Sequence, residues 1–269
     1  MKNLKKILVS FFSVLVLILF ASGCSDSDDN TSGTSRIKVS ITDNPGDYDE
    51  VNIEILDVKI KNSNGTDENG WISIGIINPG VYNLLELTGG VIAPLSDSEI
   101  PSGFLGQIRL ILGENNTVVK NGITYPLNTP SAQQSGLKLL VNQTLEPNFT
   151  YDFLIDFDVN RSIVVQAGSS GIFNLNPVLR ISSLVNSGSI SGIVISDGFQ
   201  VSASVMVGNV EVSALTNSEG MFHLHGIPAG TYTLTLTPDP ASMLNPLIIE
   251  NVVVVNGVNT DTGTSTLIN

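Results

Sequence analysis

Short runs in which apolar and polar residues alternate begin at Arg36 and continue along the chain, and they constrain the fold more than any other feature. In the first run, RIKVSIT, the side chains of Ile37, Val39 and Ile41 would share one face of a strand, because successive strand side chains point to opposite faces. Proline, glycine, asparagine and aspartate interrupt the runs at roughly the 8–12-residue spacing typical of β-sandwiches and barrels. The sequence therefore predicts an all-β protein.

Three local patterns make more specific predictions. In VNIEILDVKIK, the apolar alternation changes phase past Leu56, which indicates a β-bulge. The pair Asn121-Gly122 lies between two apolar runs and predicts a tight hairpin turn. The stretches VYNLLEL (81–87) and PSAQQSG (130–136) each predict a single helical turn.

Composition changes at SSLVNSGSIS, residues 182–191, which predicts a domain boundary. Arg180 is the last basic residue, small polar residues cluster in the stretch, and short alternating runs resume after it. About 80 residues follow, which is enough for a small sandwich. We therefore expect two β-sandwich-like domains, a β-rich one at 36–181 and a second at 188–269.

The N-terminus has the pattern of a secretion signal. MKNLKK is basic, residues 7–20 are almost wholly apolar, and small residues precede Cys24, the only cysteine. The apolar run is shorter than the roughly 20 residues that a membrane-spanning helix needs. The arrangement resembles the bacterial lipobox, which implies a signal peptide at 1–23, acylation of Cys24 and a flexible tether at 24–35. A soluble secreted protein with an idle cysteine, or a retained signal anchor, is the alternative.

Charge bears on location and partners. The chain has 12 basic and 25 acidic residues, and this negative charge repels phosphate groups, which excludes a general nucleic-acid binder. The acidic run SDSDDN after Cys24 resembles the export signals of surface lipoproteins, but a solvated spacer explains it as well. We expect an outer-membrane protein that is lipid-anchored through Cys24 and exposed on the cell surface.

Residues 36–181 resemble a bacterial family known only as domain of unknown function 4382. Four stretches carry the resemblance and occur in order: VSITDNPGDYDEVNIEI, GQIRLILGENNTVV, YPLNTPSAQQSGLKL and LIDFDVNRSIV. The family has no established activity, so this resemblance implies no particular chemistry.

Residues 188–258 resemble the carboxypeptidase regulatory-like, transthyretin-like sandwich. The resemblance rests on Gly192, Val194 and the stretch VEVSALTNSEGMFHLHGIPAGTYTLTL. Such domains occur in many surface proteins without an attached peptidase. The resemblance implies a carbohydrate-binding-like fold and a non-catalytic module.

The only histidines, His223 and His225, would share one face of a strand. Both could contact one metal ion, but no cysteine, third histidine or suitably spaced acid accompanies them. We therefore interpret them as surface histidines on an edge strand. The sequence has no nucleophile motif, phosphate-binding loop or dinucleotide-binding motif, so we expect no enzymatic activity.

Acidic residues flank the turn at residues 44–46. Asp43 precedes it, and Asp47, Asp49 and Glu50 follow it. Ca²⁺ prefers oxygen ligands, and neighbouring carboxylates repel one another unless a cation or a partner relieves them. These residues are therefore a candidate loop for calcium or a partner, with a purely solvated turn as the alternative.

A second acidic set consists of Asp156, Asp158 and Asn160. Its spacing matches the start of a calcium loop, but the glycine and glutamate that complete such a loop are missing. Solvent-facing strand acids are the simpler explanation. Asp156 and Asp158 would also be the carboxylate pair of a glycoside hydrolase, which is the enzymatic alternative.

The sequence as a whole favours a non-enzymatic cell-envelope lipoprotein that binds or scaffolds an unknown protein or polysaccharide. Its main alternative is carbohydrate binding, in which aromatic rings stack on sugars. The candidate rings are Trp71, Tyr82, Phe199, Phe222 and Tyr232. Packing in the core or at its rim is the other explanation for all of them except Phe199.

Overall fold

The computed structural model describes residues 33–44, 46–129, 135–166 and 171–269. Cys24, the signal peptide and residues 25–32 of the tether lie outside these ranges, so the statements about them remain predictions. The predicted tether ends earlier than expected, because Ser35 is buried in a strand and its hydroxyl donates to the carbonyl of Glu146 at 2.9 Å. Within the described ranges, no helix is long and apolar enough to cross a membrane.

The described part of residues 34–183 contains thirteen strands, and two short helices lie wholly within it. The strands are β1 (Thr34–Asn44), β2 (Glu50–Lys61), β3 (Ile72–Ser73), β4 (Gly80–Asn83), β5 (Ala93–Pro101), β6 (Gly103–Leu112), β7 (Thr117–Lys120), β8 (Ile123–Asn128), β9 (Leu137–Leu145), β10 (Thr150–Asp158), β11 (Ile163–Val165), β12 (Phe173–Leu175) and β13 (Leu179–Ser183). A 3-10 helix spans Leu84–Glu86, and α1 spans Val159–Ser162.

These strands form two sheets around one hydrophobic core. The smaller sheet has the order β13-β10-β1-β5. The larger has the order β11-β12-β8-β7-β2-β6-β9, with β3 and β4 also paired to β2. Ile37, Val39 and Ile41 of β1 are at most 1% exposed and belong to this core, as their alternation predicts.

The predicted bulge lies in β2. Its pairing with β6 shifts register between Ile55 and Asp57, and Leu56 at the shift is 45% exposed. Ile55 and Val58 are both fully buried. The bulge therefore lets the two halves of β2 direct apolar side chains into the same core, and the prediction is confirmed.

Two of the predicted turns are also confirmed. Asn121 and Gly122 join β7 to β8 with φ angles of 53° and 71°, the positive values that a type I′ turn requires. The helical turn in VYNLLEL is the 3-10 helix Leu84–Glu86, which is capped by the side chain of Asn83. Most of PSAQQSG falls on residues 130–134, outside the described residues.

Residues 188–266 form seven strands in two further sheets around a second core. They are β14 (Gly188–Ile195), β15 (Val201–Val207), β16 (Val210–Leu215), β17 (Met221–Ile227), β18 (Gly230–Pro238), β19 (Leu247–Val254) and β20 (Asn259–Thr266). The sheet orders are β17-β14-β20 and β16-β15-β18-β19. Because the described residues are almost entirely strands and turns, the prediction of an all-β, sandwich-like protein is confirmed.

The chain passes from the first core to the second between Ser183 and Gly188. In this link the hydroxyl of Ser187 donates to the carbonyl of Ser183 at 2.7 Å. Residues 33–269 form one compact unit, so the two sandwiches are in contact. The domain limits 36–181 and 188–269 remain predictions.

Candidate functional site

Two acids of the first acidic loop bind backbone N–H groups of distant segments. Asp43 is 4% exposed, and its Oδ1 accepts a hydrogen bond from the backbone N–H of Val159 at 3.1 Å. Asp49 Oδ2 accepts one from the backbone N–H of Gly122 at 2.8 Å. These carboxylates therefore hold α1 and the β7–β8 turn in place.

The other two acids of this loop contact side chains. Asp47 lies 3.4 Å from the ammonium group of Lys120, and Glu50 accepts a hydrogen bond from the amide of Asn52 at 3.0 Å. These donors relieve part of the repulsion that suggested a cation. Among the described residues, no group of three or more His, Cys, Asp or Glu side chains is arranged to hold a metal ion. Calcium or partner binding by this loop remains a prediction.

The second acidic set has two structural roles. Asp156 Oδ2 lies 2.9 Å from Nη2 of Arg180, and Asp158 caps α1 by accepting from the backbone N–H of Arg161 at 2.9 Å. Asn160 is exposed in α1. The side chains of Asp156 and Asp158 are 13% and 18% exposed, and burial raises the pKa of both carboxyls. The interpretation as solvent-facing acids is therefore wrong for these two.

Arg180 joins the two sandwiches. From β13 its guanidinium donates to two carbonyls of β17, that of Gly226 at 3.0 Å and that of His225. Gly226 has a φ of 65°, and a Cβ at this position would collide with Ser182. The two backbones thus approach closely, and Arg180 connects β17 to Asp156 of β10.

His223 and His225 stack on each other, with ring centroids 4.0 Å apart and planes inclined by 8°. They lie on an edge strand, as predicted, but both are partly buried rather than on the surface. Burial lowers the pKa of His223, and burial, His223 and Arg180 together lower the pKa of His225 to about 3. Both rings are therefore neutral near pH 7.

We expect this histidine pair to make the fold sensitive to acid. The unfolded chain takes up protons on histidine near the ordinary pKa of 6.5, whereas folded His225 stays neutral down to about pH 3. His225 should leave the free energy of unfolding unchanged above pH 6.5. At lower pH it should reduce the free energy of unfolding, by about 2 kcal/mol at pH 5.

Urea unfolding at pH 7 and pH 5 measures this effect. A His225→Phe variant keeps an aromatic ring at this position but has no group there that can take up a proton. The wild type should lose more stability on acidification than the variant. Equal losses in the two proteins would contradict the prediction.

A site that was not predicted from the sequence lies on the outer face of the larger sheet. The register places Lys59 of β2 opposite Arg109 of β6, and Arg109 opposite Lys138 of β9. In the adjacent row Lys61 lies opposite Gln107. We call Lys59, Lys61, Gln107, Arg109 and Lys138 together the cationic face. Like charges on neighbouring strands repel, so this surface requires anions or other acceptors nearby.

The loop 62–70, NSNGTDENG, covers part of the cationic face. Lys61 Nζ donates to the carbonyls of Gly65 at 3.0 Å and Asp67 at 2.7 Å, and Gln107 Nε2 donates to the carbonyl of Gly65 at 3.1 Å. Lys61 and Gln107 are 3% and 5% exposed. The backbone of the loop is therefore held from below by two buried side chains.

Glu68 of this loop supplies an anion to the cationic face. One of its carboxylate oxygens accepts from Arg109 Nη2 at 2.6 Å, and the other accepts from Lys138 Nζ. Hydrogen bonds from Lys138 and then Arg109 hold the pKa of Glu68 below its ordinary value. The Glu68 side chain is 58% exposed, whereas that of Arg109 is 8% exposed. A pair of cations that takes both oxygens of one carboxylate is a common means of carboxylate recognition.

Trp71 packs against the cationic face immediately after the loop. The guanidinium of Arg109 lies 3.9 Å from the centre of its ring, which is within the range of a cation–π contact. Nε of Arg109 and Nε1 of Trp71 are both buried, and neither donor has a hydrogen-bond partner among the described residues. A buried donor without an acceptor costs about 1–3 kcal/mol, so a ligand that brings acceptor oxygens would relieve this cost.

Part of this site was visible in the sequence. Lys59 and Lys61 alternate with apolar residues, as do Gln107 and Arg109, which marks them as outward-facing positions on strands. What the sequence did not reveal is that the register brings these strands together with Lys138.

The candidate aromatic rings differ in their availability to a sugar. Phe222 is 2% exposed in the second core, and the hydroxyls of Tyr82 and Tyr232 donate to backbone carbonyls four residues before them. Phe199 is 40% exposed and lines a cavity of about 500 Å³ in the second sandwich. Trp71 and Phe199 therefore have the surroundings that best suit a ligand.

The family described as Domain of unknown function (DUF4382) matches residues 34–177, which is more than half of the chain. None of the curated proteins matches this chain.

Solved structures show distant similarity. A type II cohesin–X-dockerin complex from Acetivibrio cellulolyticus is 22% identical over 30% of this chain and 56% of its own, with a TM-score of 0.25. The Bacillus anthracis TIE protein is 12% identical over 87% of this chain and 34% of its own, with a TM-score of 0.22. BcpA, the major pilin subunit of Bacillus cereus, is 11% identical over 87% of this chain and 70% of its own, also with a TM-score of 0.22. The chain thus spans about half the length of the first structure and a third of the second. Similarity at this level carries no argument about function.

Proposed function

The chain belongs to the family described as Domain of unknown function (DUF4382), and from that premise we propose that it is a non-enzymatic binding module of the cell envelope. The cationic face supports a binding role. Arg109 and Lys138 converge on one carboxylate in a chain that has 25 acidic and only 12 basic residues. A local positive site in an acidic protein selects for anions that also match its shape and hydrogen bonds.

The acids suggested for hydrolysis favour binding over catalysis. Asp156 pairs with Arg180, and Asp158 caps α1. A glycoside hydrolase needs two carboxyl groups that flank the scissile bond and are free to exchange protons. Here both carboxyls are adjacent on one strand and already accept hydrogen bonds from the protein.

We further propose that the second sandwich is a carboxypeptidase regulatory-like module that fixes or extends the first. The sequence resemblance over residues 188–258 and the arrangement in two small sheets support this assignment. The contacts of Arg180 with β17 support a fixed orientation between the two sandwiches.

The proposed location is the outer membrane, with a lipid anchor on Cys24, which lies outside the described residues. A Cys24→Ser variant should be released from the membrane fraction or should keep its signal peptide uncut, because the acylated thiol is lost. Cell fractionation and the mass of the purified chain measure this, with Ser25→Ala as the neighbouring control.

A Cys24→Ser protein that remains membrane-bound and normally processed would contradict the lipid anchor. Surface display is tested separately, by protease treatment of intact cells. Complete protection of the chain would contradict display on the outer face.

Carbohydrate binding is the second candidate function. It is favoured by the packing of Trp71 on Arg109 and by the exposed ring of Phe199 beside a cavity. Of these two places, the surroundings of Trp71 offer both an aromatic ring and charged donors.

A further inference from the structure

We infer that the cationic face binds the uronate groups of an acidic polysaccharide, and that Glu68 occupies the same site from within the chain when no ligand is present. The inference rests on the proposed binding role and adds to it a ligand class and a built-in competitor.

The charge of the site specifies a carboxylate. Lys59, Arg109 and Lys138 form one row across three strands, and the carboxylate of Glu68 bridges Arg109 and Lys138. Replacing this carboxylate with that of a ligand keeps the charge of the site unchanged. A neutral ligand would leave neighbouring cations without a counter-charge.

The unpaired donors favour a sugar acid over a simple anion. Among the described residues, Nε of Arg109 and Nε1 of Trp71 are buried without acceptors, the first on the guanidinium that binds Glu68 and the second on the ring that packs against this guanidinium. Arg109 as a whole is only 7% exposed. A uronate carries hydroxyl and ring oxygens at fixed distances from its carboxylate. Such a ligand can therefore supply the carboxylate and the missing acceptors together, beside an aromatic ring.

Glu68 can leave the site without displacing the loop. The loop backbone is held by Lys61 and Gln107, which bind carbonyls at Gly65 and Asp67. The polar contacts of the Glu68 side chain with the cationic face, within the described residues, are those of its carboxylate, and the side chain is 58% exposed. Exchange therefore requires only a rotation of the Glu68 side chain into solvent.

The test uses the full chain in detergent micelles and the emission of Trp71, the only tryptophan. Trigalacturonate is titrated into the wild type and into Glu68→Gln, which removes the internal carboxylate but keeps its shape. The variant should bind about tenfold more tightly, the factor expected if Glu68 occupies the site about nine-tenths of the time. Adding Arg109→Gln to the variant should abolish this binding.

Asp97→Asn is the matched control, because Asp97 is also a surface carboxylate paired with an arginine, at 2.6 Å from Arg36. It should bind trigalacturonate as the wild type does. A Glu68→Ser variant provides a second test should the urea midpoint of Glu68→Gln fall below that of the wild type.

Three results would overturn the inference. The first is equal affinity of wild type, Glu68→Gln and Glu68→Ser for trigalacturonate. The second is binding of neutral maltotriose as tight as that of trigalacturonate. The third is binding of triglutamate that is equal to or tighter than that of trigalacturonate, which would assign the site to acidic peptides. Tighter binding of triglutamate would overturn the uronate assignment but leave the proposed binding role of the cationic face intact, and membrane retention of Cys24→Ser would contradict the proposed location but leave this titration unaffected. The two failures are therefore distinguishable.

Discussion

Arg180→Ala is expected to lower the free energy of unfolding by about 3 kcal/mol, the lower end of the cost of removing one partner from a buried ion pair. Arg180 meets Asp156 at 2.9 Å and the carbonyl of Gly226 at 3.0 Å, and Asp156 is 13% exposed. Without the guanidinium, the carboxylate stays buried with no cation to balance it. Urea unfolding at pH 7 measures the loss.

The pH dependence of this loss identifies its cause. Burial raises the pKa of Asp156, and Arg180 opposes that rise. In the variant, Asp156 gives up its proton less readily in the folded protein than in the unfolded chain, which lowers the free energy of unfolding. This loss grows as the pH rises above the ordinary pKa of 3.8 and is absent below it. The deficit of Arg180→Ala relative to the wild type should therefore shrink as the pH falls from 7 towards 4.

Arg36→Ala is the control for this prediction. Arg36 also pairs with an aspartate, Asp97, at 2.6 Å, but the two side chains are 52% and 31% exposed. Water and salt screen exposed ion pairs, so Arg36→Ala should change the free energy of unfolding far less than Arg180→Ala does. If both variants lose the same stability, Arg180 does not act as a buried connection between the sandwiches.

Local features of the fold could be predicted from the sequence because their causes are local. The turn at Asn121-Gly122 depends on two residues that tolerate positive φ, and the bulge at Leu56 depends on a phase change within one strand. Alternation likewise identified the buried residues of β1. Each of these predictions needed no knowledge of which strands are neighbours.

The site could not be predicted in this way, because it depends on register and burial. Lys61, Arg109 and Lys138 lie far apart in sequence and meet only through the order β2-β6-β9. The alternation of Asp156 and Asp158 with apolar residues suggested two solvent-facing acids. In the structure, β13 and α1 pack against the end of β10 that carries them, and both side chains are largely buried. Charge in the sequence therefore identified acids and bases but not their partners.

Lys61→Met should release the loop 62–70 and lower the free energy of unfolding by about 2 kcal/mol, since hydrogen bonds from a charged group contribute about 1.5–3 kcal/mol each and the exposed loop regains water. Lys61 is 3% exposed and binds the carbonyls of Gly65 and Asp67. Methionine keeps the length of the side chain but donates no hydrogen bond. Trp71 emission should shift to the red, and a glutamate-specific protease should cut after Glu68 faster than in the wild type.

Lys59→Met is the matched control because Lys59 points to the same face of β2 and its charge partner, Asp57, is 4.0 Å away. Its side chain is 35% exposed, and within the part of the chain that the structure describes it makes no hydrogen bond to the loop. Both variants lose one positive charge from the same face of β2, whereas only Lys61→Met also loses the contacts with Gly65 and Asp67 that anchor the loop. Similar emission shifts and similar cleavage after Glu68 in both variants would therefore show that Lys61 does not anchor the loop.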